Sequence, residues 1–273
     1  VELNEVKPNS IILGGSRAHY LDPKDLEKYT HDKVYNLGLT FSTLEEQYHF
    51  LKYSIDHFDI KNVVIALNLY PFSEKLEDNK SDFDETIFED GFTFLKQIKH
   101  YLSLPLMKYL KYAYENKYTE PFYKDGAITA YHQSIVLLDN TWEDRKKSSL
   151  EGYHRKYNKY LEWGDTQFEY YRKMVQLCKD NNINLKVFTT AIHVSQLNIL
   201  KEVNKMDIFY KWKDELVKIY PYYDFMTENS ITVNDDNYID TSHLKQEFGY
   251  LYFAKVFEDS SVNVPKDFGI LIK

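Results

Sequence analysis

IILGGSRAHYLDP, from Ile11 to Pro23, decides how the chain is read. An apolar run of strand length ends in two glycines, and a serine follows them directly. Gly14 and Gly15 let the backbone turn sharply without a Cβ clash, so Ser16 is expected at the tip of a strand. A helix starting near the serine would aim its N-terminal N–H groups at charge developing beside the hydroxyl. A Gly-Gly-Ser turn also suits a phosphate-binding turn or a plain strand end. The chain has neither G-x-G-x-x-G nor G-x-x-x-x-G-K-[ST], which sets the nucleotide reading aside.

Working outward, strand-length apolar runs recur at Ser10–Gly15, Lys33–Gly38, Asn62–Asn68 and Asn184–Ile192, with a shorter one at Tyr223–Met226. Helical periodicity separates them. Thr43–Phe58 places Leu44, Tyr48, Leu51 and Ile55 on one face, behind a capping Ser42 or Thr43 and an acid-rich first turn. Further helices are predicted at Asp165–Asp180, Val194–Val203, Asp207–Ile219 and Leu244–Phe257. Strands alternating with helices predict an α/β fold, a parallel sheet of about five strands. Residues 71–163 break the rhythm with tyrosine-rich, charged sequence. They are predicted to form a helical insertion after the third strand within a single domain spanning 1–273. Placed at the carboxyl ends of the strands, the insertion reads either as a lid or substrate platform or as a helical elaboration that packs on the core. The amphipathic stretch Phe92–Tyr114 needs no ligand to explain it.

Composition narrows the function. With 273 residues, 43% hydrophobic and 28% charged, the chain can bury a large core. A net charge of -8, with 34 scattered Lys and Arg, argues against nucleic acid as a partner. The run Arg145-Lys146-Lys147 reads as a solvated face. The single cysteine, Cys178, lies within a helical pattern and reads as a small buried hydrophobe. With one Cys and no paired histidine spacing, no metal is expected, and no cofactor motif occurs. No run reaches membrane-span length. The chain opens at Val1, not Met, through the polar ELNEVKPNS, and an upstream signal or membrane anchor is expected from that.

At the far end, YIDTSHLKQEFGYLYFAKVF (Tyr238–Phe257) places Asp240 and His243 at a predicted helix start. Asp240, Thr241 or Ser242 would cap such a helix whatever else they do. A serine nucleophile needs a base, and a histidine base needs an orienting carboxylate. Ser16, His243 and Asp240 supply these types if the two chain ends meet.

Four blocks in order, ILGGSR, YNLGLT, VIALNLYPF and DTSH, resemble the SGNH (GDSL-like) hydrolase superfamily. Within it they are similar to the extracytoplasmic branch of alginate-acetylation-type polysaccharide O-acetyltransferases. The resemblance covers most of the chain outside the insertion and implies a three-layer α/β/α domain. By position it makes Ser16 the nucleophile, His243 the base and Asp240 its orienting carboxylate. Oxyanion donors would come from Ser16, Gly38 and the Asn68 side chain. Two departures are Gly15, where the family usually has Asp, and Asn68-Leu69 in place of the common G-x-N-D.

Bland readings stand beside these. Asn68 also suits a strand-ending turn, and Gly38 a strand end. Arg17 would bind an anionic group of the substrate or make a structural pairing, and His193 would line the pocket or cap the next helix. The 25 Tyr, 17 Phe and 3 Trp suit sugar stacking and core packing alike. The expected activity is acyl-ester chemistry through an acyl-serine, as esterase or O-acetyltransferase, on an extracytoplasmic polysaccharide, periplasmic or at the cell surface. A membrane-bound acyl-transfer protein is an expected partner. The alternative is a catalytically silent carbohydrate-binding or scaffold protein of a polysaccharide export complex.

Overall fold

A computed structural model describes residues 2–75, 114–115, 117, 119–121 and 123–273. Strands β1 (Ser10–Gly14), β2 (Val34–Gly38), β3 (Asn62–Leu67), β6 (Asn184–Thr189), β7 (Tyr222–Asp224) and β8 (Ile270–Ile272) form a sheet in the order β2-β1-β3-β6-β7-β8. All pairings are parallel except β7 with β8. A two-stranded hairpin, β4 (Tyr123–Lys124) with β5 (Ala127–Ile128), stands apart from it. Helices among the described residues are α1 (Glu2–Val6), α2 (Pro23–Thr30), α3 (Leu44–His57), α4 (Ala130–Asp139), α5 (Trp142–Tyr160), α6 (Thr166–Asp180), α7 (Val194–Glu202), α8 (Met206–Ile219) and α9 (Gly249–Val256). The fold is mixed α/β with a mostly parallel six-stranded central sheet.

β1, β2 and nearly all of β3 are buried on both faces, which is why their sequences run largely apolar without alternation. Ile11 and Leu13 join the core shared with α3, α6 and α8, whereas Ile12 faces a second core with Leu26 of α2 and Leu251 and Phe253 of α9. That alternation makes three layers. Thr43 caps α3 through a full capping box with Glu46, as its sequence foretold. Cys178 is fully buried, and burial pushes its thiol up to about 12.

Strand order reverses between β1 and β3, and in such sheets the ligand crevice lies outside the strand ends at that reversal. Ser16 follows β1 there and Asn68 follows β3.

Some elements differ from their sequence readings. After Ser16 comes only a single 3-10 turn, Ala18–Tyr20, before α2 begins at Pro23, so the expected α-helix does not start at the serine. The helix expected from Leu244 starts at Gly249, and His243 lies in the loop ahead of it. β8 and α2 carried no distinct sequence reading. The acid-rich 76–90 and the amphipathic 92–113 lie outside the described residues.

Candidate active site

Ser16 is the one partly exposed residue in an otherwise buried run from Ile11 to His19. Its Oγ lies 3.0 Å from His243 Nε2. On the other side of the ring, Nδ1 lies 2.9 Å from Asp240 Oδ2 and 3.0 Å from Oδ1. The chain's two ends therefore meet in one hydrogen-bonded line, Ser16–His243–Asp240. Tyr20 packs on the His243 ring, with centroids 5.1 Å apart.

The Asp240 loop is held in shape by its own backbone and by its neighbours. Asp240 Oδ1 accepts from the Ser242 N–H (2.7 Å) and the His243 N–H (3.0 Å). Burial alone would raise this carboxyl. The adjacent imidazole and these hydrogen bonds outweigh burial and hold it below its ordinary value. Helix α5 then grips the loop along one face, at residues four apart. Arg145 Nε donates to the Ile239 carbonyl (2.6 Å), Ser149 Oγ meets Thr241 Oγ1 (2.6 Å), and Tyr153 OH meets Ser242 Oγ (2.7 Å).

Arg17 is buried and reaches across the strand ends instead of into the cavity. It donates to Ser242 Oγ (2.9 Å), Asn68 Oδ1 (3.1 Å), Gln196 Oε1 (3.3 Å) and Thr190 Oγ1 (3.4 Å). Thr190 also donates to Asn68 Oδ1. With its carbonyl held from behind, Asn68 turns its amide toward the serine turn, where a Cβ on Gly15 would lie 2.8 Å from Nδ2. That close approach is a physical reason for glycine, not aspartate, before the serine. The substrate-binding reading of Arg17 gives way to a structural one.

Gly38 does not fit its expected role either, because its N–H already donates to the Asn36 side chain at 2.7 Å. Beyond it, Thr40 and Phe41 line the cavity, and their N–H groups meet no acceptor among the described residues. Phe41 holds a left-handed backbone (φ 60°), a conformation uncommon for a large side chain. The Ser16 N–H is also unengaged among the described residues. His193 caps α7 through Nδ1 and sets Nε2 2.8 Å from Asp235, away from the cavity, so the helix-capping alternative describes it.

The site opens into a cavity of about 630 Å³. Its floor is Ser16 and His243, and its walls include Tyr20, Phe41, Tyr123 and Tyr153. His19 also lines it. Burial holds His19 below the ordinary histidine value, opposed by a backbone hydrogen bond to Gly38 and helped by the neighbouring His243. Among the described residues no cluster of His, Cys, Asp and Glu could hold a metal, and no helix is long and apolar enough to cross a membrane.

No family model matches the chain, and no curated protein matches it. One solved structure that it resembles is a protein from Bacteroides fragilis provisionally described as an acylhydrolase. The two share 13% identity over 92% of this chain and 85% of that one, with a TM-score of 0.42. A likeness that weak says nothing of what this chain does.

Proposed function

We propose that the chain is a serine esterase or O-acyltransferase of SGNH type. The observation that carries this reading is the line Ser16 Oγ–His243–Asp240, at 3.0 Å and 2.9 Å, on the floor of an aromatic-walled cavity. His243 Nε2 takes the Ser16 proton as Oγ attacks the ester carbonyl, and Asp240 fixes the ring tautomer and orientation. Donors around the oxyanion are the Ser16 N–H, the Asn68 amide and an N–H of the Thr40–Phe41 loop. Collapse of the tetrahedral adduct breaks the ester C–O bond, and the leaving alcohol collects the proton from Nε2. Water or an acceptor hydroxyl then gives a proton to Nε2, attacks the acyl-serine and restores Ser16.

The resemblance of the four sequence blocks favours an O-acetylated polysaccharide outside the cytoplasm as the substrate, with a membrane-bound acyl-transfer protein as partner. Aromatic side chains around the mouth suit stacking against sugar rings. The test is turnover of p-nitrophenyl acetate. Wild-type protein should hydrolyse it and Ser16→Ala should not, whereas equal rates would place the chemistry elsewhere. A silent binding protein would show no turnover in either form.

A further inference from the structure

Four charged side chains line the cavity besides its histidines: Asp144, Asp240, Arg145 and Lys156. Both carboxylates are engaged. Asp240 holds His243, and Asp144 closes the capping box of α5 with the Thr141 hydroxyl (2.7 Å) and N–H (3.3 Å). The two cations are not fully engaged. Arg145 spends Nε on the Ile239 carbonyl and Nη1 on the Asn140 carbonyl, leaving Nη2 without an acceptor among the described residues. The Lys156 ammonium meets no oxygen among the described residues. It sits over aromatic faces, 4.8 Å from the Phe41 ring centroid, 5.2 Å from Tyr153 and 5.6 Å from Tyr70.

This is an unusual balance for a chain of net charge -8. Unspent positive charge gathers on the α5 wall of the one cavity that holds Ser16. His19 and His132 do not supply it, because burial lowers both. A cation set in a concave, partly desolvated wall attracts anions more strongly than the same charge on an open surface. Aromatic rings under the ammonium hold it in place without neutralising it. Tyr153 joins this wall to the reacting groups, since its ring lies under Lys156 while its hydroxyl bonds Ser242, next to His243.

We infer that the ester bound at Ser16 carries an anionic group, a carboxylate or a phosphate, that docks on the α5 wall at the Lys156 ammonium. This rests on the reading of the cavity as an ester site and adds the charge class of the substrate. Carboxylate and phosphate share the chemistry: each accepts charge-assisted hydrogen bonds from an ammonium.

The test is binding, measured by ligand-observed NMR on Ser16→Ala protein, which keeps the cavity and cannot consume the ligand. Three matched probes are the methyl glycosides of an O-acetylated galactose, its galacturonate and its 6-phosphate. One anionic probe should bind roughly tenfold tighter than the neutral one at low salt. The gap should narrow as ionic strength rises from about 10 mM to about 150 mM. Galacturonate binding tighter assigns a carboxylate, and the phosphate binding tighter assigns a phosphate. Lys156→Gln should bring the anionic-to-neutral ratio toward one, Lys156→Arg should keep it, and Arg145→Gln, about three helical turns away, should change it less. Equal affinity for all three probes, no binding by any, or a Lys156→Gln loss that falls equally on all would overturn the inference. Absence of wild-type turnover would count against the esterase reading and leave this comparison intact.

Discussion

Gly15→Ala is the smallest change that probes the arrangement around Ser16. Gly15 does not hold a left-handed backbone, so alanine fits the main chain there. Its new Cβ, however, would lie 2.8 Å from Asn68 Nδ2, against a comfortable contact of roughly 3.5 Å. One of the two groups must give by about 0.7 Å. Asn68 cannot swing away freely, because Arg17 and Thr190 both hold its Oδ1. The amide donor is therefore pushed off line while the cavity itself is left intact. Complete loss of an oxyanion donor costs about 10²–10³ in rate, and a 1 Å misplacement about 10². Gly15→Ala should accordingly lower kcat for a p-nitrophenyl ester by about 10- to 100-fold, with KM changed much less. Stability should move by only about 1 kcal/mol, since alanine also restricts the unfolded chain. Steady-state kinetics and a thermal melt on the same preparation check both halves. A kcat within about twofold of wild type would remove Asn68 from the oxyanion site.

Asp240→Asn should keep the fold and lower kcat by about 10³–10⁴, because the amide favours the wrong imidazole tautomer; an unchanged rate would mean another group orients His243. Arg17→Met strips a partner from Asn68, Ser242 and Gln196 together, and should cost about 2–4 kcal/mol in a denaturant melt as well as lowering kcat. Arg17→Lys should recover part of the stability and less of the rate, since one ammonium cannot span those three oxygens. His193 is held below the ordinary value of 6.5, first by burial and further by Lys146, with Asp235 opposing. The unfolded chain therefore takes up the proton that the native ring resists. Stability should be full above about pH 6.5 and fall as pH drops below it, by at most about 1.4 kcal/mol per pH unit for each such histidine. His193→Gln should flatten that slope in melts between about pH 7.5 and 5.5, with His19 and His132 supplying the remainder.

The parts of this protein legible in its sequence are those fixed by local chemistry. The place of Ser16 at the tip of β1 is legible because an apolar run ending in Gly14 and Gly15 leads straight into it. The closeness of Asp240 and His243 is legible because Asp240 shapes its own turn, accepting from the N–H groups two and three residues on. Gly38 was misread because a backbone N–H carries no label of its partner: the Asn36 side chain, two residues earlier, takes it. Arg17 and His193 show the same limit, since either could face solvent, ligand or core until the strand ends are assembled. Arg145 stands in a basic run that reads as a solvated face, yet α5 turns it onto the Asp240 loop while Lys146 pairs with Asp235. The region 71–163 reads as a helical insertion, either a lid or substrate platform or an elaboration packed on the core. Within it, α5 clamps the loop that carries Asp240 and His243 through Arg145, Ser149 and Tyr153. No periodicity in the sequence announces a contact between residues almost a hundred positions apart.

The central claim is that Ser16 is a nucleophile activated by His243. Incubation with a fluorophosphonate, followed by intact mass and peptide mapping, tests it without knowledge of the natural ester. A single adduct on Ser16 is expected, formed quickly by wild-type protein, absent from Ser16→Ala and greatly slowed in His243→Ala. A folded wild-type protein that takes no adduct, or one that is labelled at another serine, would contradict it.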